Sequence, residues 1–134
     1  MIYLNTQNVV ANCIIAKNGG DGIYVVNTNA RLGLCINNTI DANTGNGINF
    51  TTQASVSMTV AFNNIISNHV TGGTYGITVG AGTAAQNSLI QGFVNKNTFY
   101  NNTTDTNAIN YGANDTHGGS NPYVGQTTEN YTLA

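Results

Sequence analysis

Residues 38–50 read Asn-Thr-Ile-Asp-Ala-Asn-Thr-Gly-Asn-Gly-Ile-Asn-Phe, and both halves of this stretch recur along the chain. The second half, Gly-Ile-x-apolar, begins at Gly22, Gly47 and Gly76, with a degenerate copy from Ala108. A further apolar run lies between the two phrases in each period. The first half, Asn-x-apolar with another Asn shortly after, begins at Asn12, Asn38, Asn64 and Asn97. Phrases that recur in step at spacings of 25 to 33 residues indicate a repeat protein.

The repeated phrases have the composition of short β-strands. They are rich in Ile, Val, Thr and aromatic residues, they alternate, and Gly and Asn bound them. Strands that stack like on like about 4.8 Å apart bury their apolar side chains in columns, so the pattern predicts a parallel solenoid. The predicted inward columns are Ile14, Ile40, Ile66 and Phe99, and Ile23, Ile48, Ile77 and Ile109.

The leading Asn of the first phrase has a physical role of its own. An Asn residue tolerates the left-handed backbone of a sharp bend, and its side-chain amide both donates and accepts hydrogen bonds. Stacked copies can therefore bond to one another along the solenoid, which fixes the register of the coils. The predicted ladder consists of Asn12, Asn38, Asn64 and Asn97.

The composition excludes several function classes. Charged residues make up 6% of the 134 residues, and the formal net charge is −2. The chain therefore has no basic face for nucleic acid or for an anionic membrane, and neither is predicted as a partner. Apolar residues reach 40%, which is enough for one core, so solubility must come from uncharged polar side chains.

The two phrases resemble the coil repeat of the right-handed parallel β-helix (pectin-lyase-like) superfamily over about residues 8–112. The resemblance implies an all-β, right-handed parallel β-helix (solenoid) of about four coils, with three short strands per coil, across residues 1–112. Residues 113–134 are expected to form an irregular C-terminal flap that covers the last coil. The superfamily includes polysaccharide lyases, hydrolases, phage tailspikes and adhesins, so the resemblance is specific for the fold and not for the function.

Catalytic chemistry has little support in the sequence, and the leading hypothesis includes no catalytic residue. The alternative is a fragment of a polysaccharide lyase or glycoside hydrolase that uses Asp105, Asp115 and His117, all near the predicted last coil. Residues 115–119 partly resemble the Gly-His-Gly motif of polygalacturonases, but the flanking Gly and the Arg-x-Lys partner are absent. Enzyme activity is therefore not favoured.

Neither the cysteines nor the histidines are spaced as metal ligands, so no metal and no other cofactor is expected. Cys13 and Cys35 are predicted to be free thiols. The repeat alignment places them about 13 Å apart along the coil, which is beyond the reach of a disulfide.

The leading hypothesis is a structural or adhesive β-helix module of a virion appendage or an extracellular surface protein, similar to tailspikes or adhesins. Its neutral polar side chains and tyrosines suit contact with a polysaccharide, and Tyr24, Tyr75 and Tyr100 are the predicted contact residues. No signal peptide is recognised in the first residues. Because nothing before Val9 resembles a cap for the first coil, self-association, end to end or as a trimer, is expected.

Overall fold

The computed structural model describes residues 1–4, 8–26, 32–51, 58–80, 94–107, 109, 112–125 and 130–133, and the statements below concern these residues. Every regular element within them is a β-strand. The strands are short, so none of them can bury a core by itself. They are β1 (Ile2–Leu4), β2 (Asn8–Ala11), β3 (Ile14–Ala16), β4 (Ile23–Val26), β5 (Leu32–Ile36), β6 (Thr39–Asp41), β7 (Ile48–Thr51), β8 (Met58–Phe62), β9 (Ile65–Ser67), β10 (Ile77–Val79), β11 (Val94–Asn95), β12 (Thr98–Tyr100), β13 (Thr106–Asn107), β14 (Thr116–His117), β15 (Tyr123–Gly125) and β16 (Asn130–Leu133).

Strands β1 to β14 form three parallel sheets that the chain visits in turn. The first sheet has the order β1-β4-β7-β10-β13, the second β2-β5-β8-β11, and the third β3-β6-β9-β12-β14. Each strand therefore pairs with the strand in the same place one coil later, which gives four coils and part of a fifth. This topology confirms the predicted all-β parallel β-helix with three short strands per coil.

The core consists of four columns of buried inward side chains, two from the first sheet and one from each of the other two sheets. No coil can bury its own members of these columns, so each coil depends on its neighbours for stability. The columns are Ile23, Ile48 and Ile77, and Val25, Phe50 and Val79, from the first sheet, Val10, Cys35, Ala61 and Val94 from the second, and Ile15, Ile40, Ile66 and Phe99 from the third.

The predicted third-sheet column is one residue out in the first coil. Ile14 pairs with Thr39 and points outward with 63% of its surface exposed, whereas Ile15 pairs with Ile40 and is buried. Paired residues 14 and 39 are 25 positions apart, one fewer than the 26 that the sequence alignment assumed. Because successive strand residues face opposite ways, a slip of one residue exchanges the inward and outward sets.

The first-sheet column also differs from the prediction at its far end. Ile77 pairs with Thr106, so Thr106 and not Ile109 continues the stack. The two coils that meet at Ile77 have the same length in the first sheet, 29 residues from 48 to 77 and 29 from 77 to 106. Ile109 is nevertheless buried, outside any described strand.

Left-handed backbone marks the sharp corners on both sides of the third sheet. Non-glycine residues with positive φ stand at equivalent places in successive coils, where Asn is the best tolerated type. This preference accounts for much of the Asn in the repeats. The corner before the third sheet has Asn12, Asn37, Asn63 and Lys96, with φ of 55° to 57°, and the corner after it has Lys17, Ala42, Asn68 and Asn101, with φ of 47° to 59°.

The described residues of the C-terminal segment differ from the irregular flap predicted over the last coil. Strand β14 adds to the third sheet beyond residue 112, so the coils extend past the predicted boundary. Strands β15 and β16 form an antiparallel hairpin. The hairpin contacts the outer side of the third sheet, where the Tyr123 and Ser67 hydroxyl oxygens lie 2.8 Å apart and Tyr131 OH donates to Asp41 Oδ2 at 3.1 Å.

Candidate functional site

An asparagine ladder runs through the corner between the second and third sheets. Asn38 donates to Asn64 Oδ1 from both its backbone N–H and its Nδ2, each at 3.0 Å, and Asn64 donates to Asn97 Oδ1 in the same way. The same side chains also donate to backbone carbonyls, as Asn64 Nδ2 does to Cys35 O at 2.9 Å. All three ladder residues are buried, so these bonds satisfy polar groups that can no longer hydrogen-bond to water.

The ladder has different ends from those predicted. Asn12 lies at the left-handed corner, and Cys13 occupies the ladder position with its backbone N–H bonded to Asn38 Oδ1 at 3.1 Å. At the other end, Asp115 Oδ1 accepts from the Asn97 backbone N–H at 2.7 Å and from its Nδ2 at 3.2 Å. The structure therefore brings Asn38, Asn64 and Asn97 together, excludes Asn12, and adds Asp115 as the last acceptor.

A second ladder follows the third sheet and includes a histidine. Asn18 donates to Asn43 Oδ1 from its backbone N–H and its Nδ2, at 3.0 and 2.8 Å. Asn43 Nδ2 lies 3.3 Å from His69 Nε2, and His69 Nδ1 lies 3.0 Å from Asn102 Oδ1. Since the Asn102 oxygen only accepts, Nδ1 carries the proton and Nε2 accepts from Asn43. The sequence contained a signal for this ladder, because Asn18, Asn43 and Asn102 follow the repeated phrase. The third copy has His69 at the equivalent position, so the ladder could not be recognised as a run of Asn.

Complete burial holds His69 in its neutral form. Burial lowers the pKa of His69, while the hydrogen bond to Asn102 and the negative charges of Asp41 and Asp21 act in the opposite direction. A proton on Nε2 would face the Nδ2 donor of Asn43, so the ladder requires the neutral ring.

The three residues of the catalytic alternative take two different roles in the structure. His117 Nδ1 lies 3.1 Å from Asp105 Oδ2, and the His117 ring stacks on Phe99 with centroids 5.2 Å apart. Asp115 has a structural role instead, since its Oδ2 accepts from the Gly112 backbone N–H at 2.7 Å and its Oδ1 is the last acceptor of the asparagine ladder. Asp105 also accepts from Asn102 Nδ2 at 3.0 Å. The structure thus forms one His–Asp pair at the end of the solenoid.

The predicted contact tyrosines lie in or beside strands of two different sheets. Tyr24 lies in the first sheet, where its ring stacks on Tyr3 with centroids 5.5 Å apart and planes 18° apart. Tyr75 precedes the first-sheet strand β10, and its backbone N–H donates to Asn46 Oδ1. Tyr100 pairs with Ser67 in the third sheet. Tyr3, which is 54% exposed, was missed because the strand at the start of the chain carries no complete copy of the repeated phrase.

The comparison with known families decides the classification. The model of the right-handed β-helix region matches residues 1–92, which is more than half of the chain. The chain belongs to the right-handed β-helix family. A search of curated proteins and a search of solved structures each gave no match.

The thiols of this β-helix are packing groups. Both cysteines are free; Cys35 belongs to the second-sheet column, and burial raises the pKa of its thiol to about 12. Cys13 is half-buried, and its Sγ donates to Ala11 O at 3.2 Å. Across the described residues, no group of three His, Cys, Asp or Glu side chains could hold a metal ion, and no helix is long and apolar enough to cross a membrane.

Proposed function

We propose that this β-helix is a non-catalytic structural and adhesive module of a virion appendage or an extracellular surface protein, and that it contacts neutral carbohydrate. The observation that carries the proposal is the stacked pair of Tyr3 and Tyr24 on the first sheet. Aromatic faces pack against the apolar faces of sugar rings, while the phenolic oxygens remain available to hydroxyl groups.

Polar groups continue the tyrosine pair along the same outward column. Asn49 pairs with Tyr24 one coil later, and its Nδ2 donates to Asp21 Oδ2 at 2.8 Å. Asp21 Oδ1 in turn accepts from the backbone N–H and Nδ2 of Asn46. This network fixes the Asn49 amide beside the aromatic pair, which matches a ligand that presents both ring faces and hydroxyl groups.

The arrangement of the carboxylates supports a non-catalytic role. Asp21, Asp41, Asp105 and Asp115 each accept hydrogen bonds that hold turns, ladders or the C-terminal hairpin in place. A catalytic pair needs carboxylates that face a substrate across a defined gap. The alternative, a fragment of a lyase or hydrolase, is favoured by one observation, the contact between His117 and Asp105. Self-association, end to end or as a trimer, stays a prediction.

Binding of the full chain to an array of neutral glycans tests the proposal. We expect a signal from wild type, and we expect Tyr24→Ala to weaken it on at least one neutral glycan, because the variant removes half of the stacked pair. Tyr100→Ala is the matched control: Tyr100 is also a contact residue predicted from the sequence, but it lies on the third sheet and outside the Tyr3–Tyr24 pair, so we expect this variant to bind as wild type does. An equal loss in both variants, or no signal from wild type on any neutral glycan, would refute the assigned contact.

A further inference from the structure

A cleft separates the C-terminal hairpin from the flank of the third sheet. Its volume is about 360 Å³, which lies within the range of about 300–1,000 Å³ for small-molecule sites. The solenoid forms one wall and the hairpin forms the other. The residues that line it and bear on its chemistry are Asn37, Thr39, Asn63, Thr98, Tyr131 and Leu133.

The solenoid wall presents polar groups that lack partners within the described part of the chain. Asn63 Nδ2 donates to Asn37 Oδ1 at 2.8 Å, which leaves the Asn37 Nδ2 and the Asn63 Oδ1 available. The hydroxyl groups of Thr39 and Thr98 are unpaired as well, and both side chains belong to the outward column of the third sheet. The wall therefore offers donors and acceptors without any charged group.

The hairpin wall is held in place by a buried polar network. Tyr131 OH donates to Asp41 Oδ2, and the Tyr123 hydroxyl lies 2.8 Å from Ser67 Oγ. Ser67 Oγ donates to Asp41 Oδ1 at 2.8 Å, and the two tyrosine rings pack edge to face with centroids 5.2 Å apart. Asp41 and Ser67 are fully buried, and the bond from Tyr131 to Asp41 is partly buried, so the network is shielded from water and fixes the Tyr131 ring at the cleft.

We infer that this cleft is a second carbohydrate site, distinct from the Tyr3–Tyr24 pair, which takes a short neutral oligosaccharide. The ligand class rests on the proposed function, whereas the site rests on the cleft itself. Uncharged amides and hydroxyls line one wall, and a fixed aromatic ring with Leu133 beside it forms the other, which is the combination that a polyhydroxylated ring requires.

The solenoid wall of the cleft does not suit an extended peptide. Peptides that bind to sheets add a strand at an open edge, where backbone N–H and C=O groups are unpaired. The cleft lies over β6, β9 and β12, and each of these strands already pairs with a neighbour on both sides. The solenoid wall therefore offers side chains, and no sheet edge, to a ligand.

Filling the cleft with a bulky side chain tests the inference. Ile65 lies between Thr39 and Thr98 in the outward column and lines the cleft, so Ile65→Trp should occupy the space. Ile14→Trp is the matched control, because Ile14 has the same position in the first coil, is exposed and does not line this cleft. The probes are cellotetraose, maltotetraose and chitotetraose, with trigalacturonate as the charged comparison.

Titration of the full chain by NMR spectroscopy gives a readout for each site. We expect at least one neutral tetrasaccharide to shift the amide resonances of Asn37, Asn63 and Thr98. Ile65→Trp should weaken that binding at least about tenfold, while Ile14→Trp and Tyr24→Ala leave it unchanged. Unchanged affinity in Ile65→Trp, preference for trigalacturonate, or no shift at these residues with any neutral probe would overturn the inference. The same titration tests the proposed function separately. In Tyr24→Ala the shifts around Tyr3 should be lost, while the shifts at Asn37, Asn63 and Thr98 remain.

Discussion

Replacement of Asn64 by Ala measures what the asparagine ladder contributes to the fold. The substitution deletes the bonds from Nδ2 to Cys35 O and to Asn97 Oδ1, and the two bonds that Asn64 Oδ1 accepts from Asn38. Asn97 Oδ1 keeps a donor, since the backbone N–H of residue 64 remains. Three buried groups each lose a partner: the Asn38 backbone N–H, one N–H of the Asn38 amide, and the Cys35 carbonyl.

The expected cost follows from these three groups. A buried polar group that loses its partner costs about 1–3 kcal/mol, so the free energy of unfolding should fall by about 3 kcal/mol or more. Domains of this size are stable by only about 5–15 kcal/mol, so the loss is a large fraction of the whole. Urea unfolding followed by circular dichroism, with linear extrapolation to water, measures the change.

The neighbouring residue provides the control for the ladder prediction. Asn63 has φ of 55°, is exposed, and makes one side-chain hydrogen bond, to Asn37 Oδ1. Glycine adopts positive φ without strain, so Asn63→Gly should change stability by less than about 1 kcal/mol. Equal effects of Asn63→Gly and Asn64→Ala, or a loss below about 1 kcal/mol in Asn64→Ala, would refute the claim that the ladder stabilises the coils.

Two further predictions concern the second ladder and the core. Burial lowers the pKa of His69 below its ordinary value of about 6.5. The stabilisation from the neutral His69 ring should therefore be fully present above about pH 6.5. At lower pH the free energy of unfolding should fall, by at most about 1.4 kcal/mol per pH unit. His69→Asn places the usual ladder residue at this position, so the unfolding free energy should no longer depend on pH between roughly pH 6.5 and 5. An unchanged slope in this variant would contradict the claim that His69 causes the pH dependence. Ile40→Asp should prevent folding, whereas Thr39→Asp should be tolerated, because Ile40 is fully buried and Thr39 points outward. Size-exclusion chromatography and circular dichroism compare the two variants, and equal tolerance would invalidate the assignment of inward and outward faces.

The sequence predicted the three sheets well and the register of the first coil poorly. Two adjacent positions both favour Asn, one because of its left-handed backbone and the other because of its ladder amide. In the second and third coils both positions hold Asn, but the first coil has Asn12 at the corner and Cys13 at the ladder. Alignment by residue type therefore placed Asn12 in the ladder. Cys13 bonds through its backbone N–H, which every residue except proline possesses.

The candidate sites depend on contacts that the repeated phrases do not encode. The stacking of Tyr3 on Tyr24 follows from a register of 21 residues, shorter than any spacing of the repeated phrases. Burial of Asp41 follows from the hairpin, whose Tyr131 is 90 residues away in sequence. Local composition predicts a turn or a strand, but it does not predict which face of the solenoid a distant hairpin will cover.

The most direct test of the central claim measures binding and cleavage in one incubation. The purified chain is mixed with a panel of neutral and acidic polysaccharides, and both its retention on each polymer and the appearance of new reducing ends or unsaturated products are followed. A non-catalytic adhesive module should be retained on a neutral polymer that remains intact. Cleavage of any polymer that is abolished in Asp105→Asn or His117→Ala would contradict this role and identify the pair of Asp105 and His117 as catalytic.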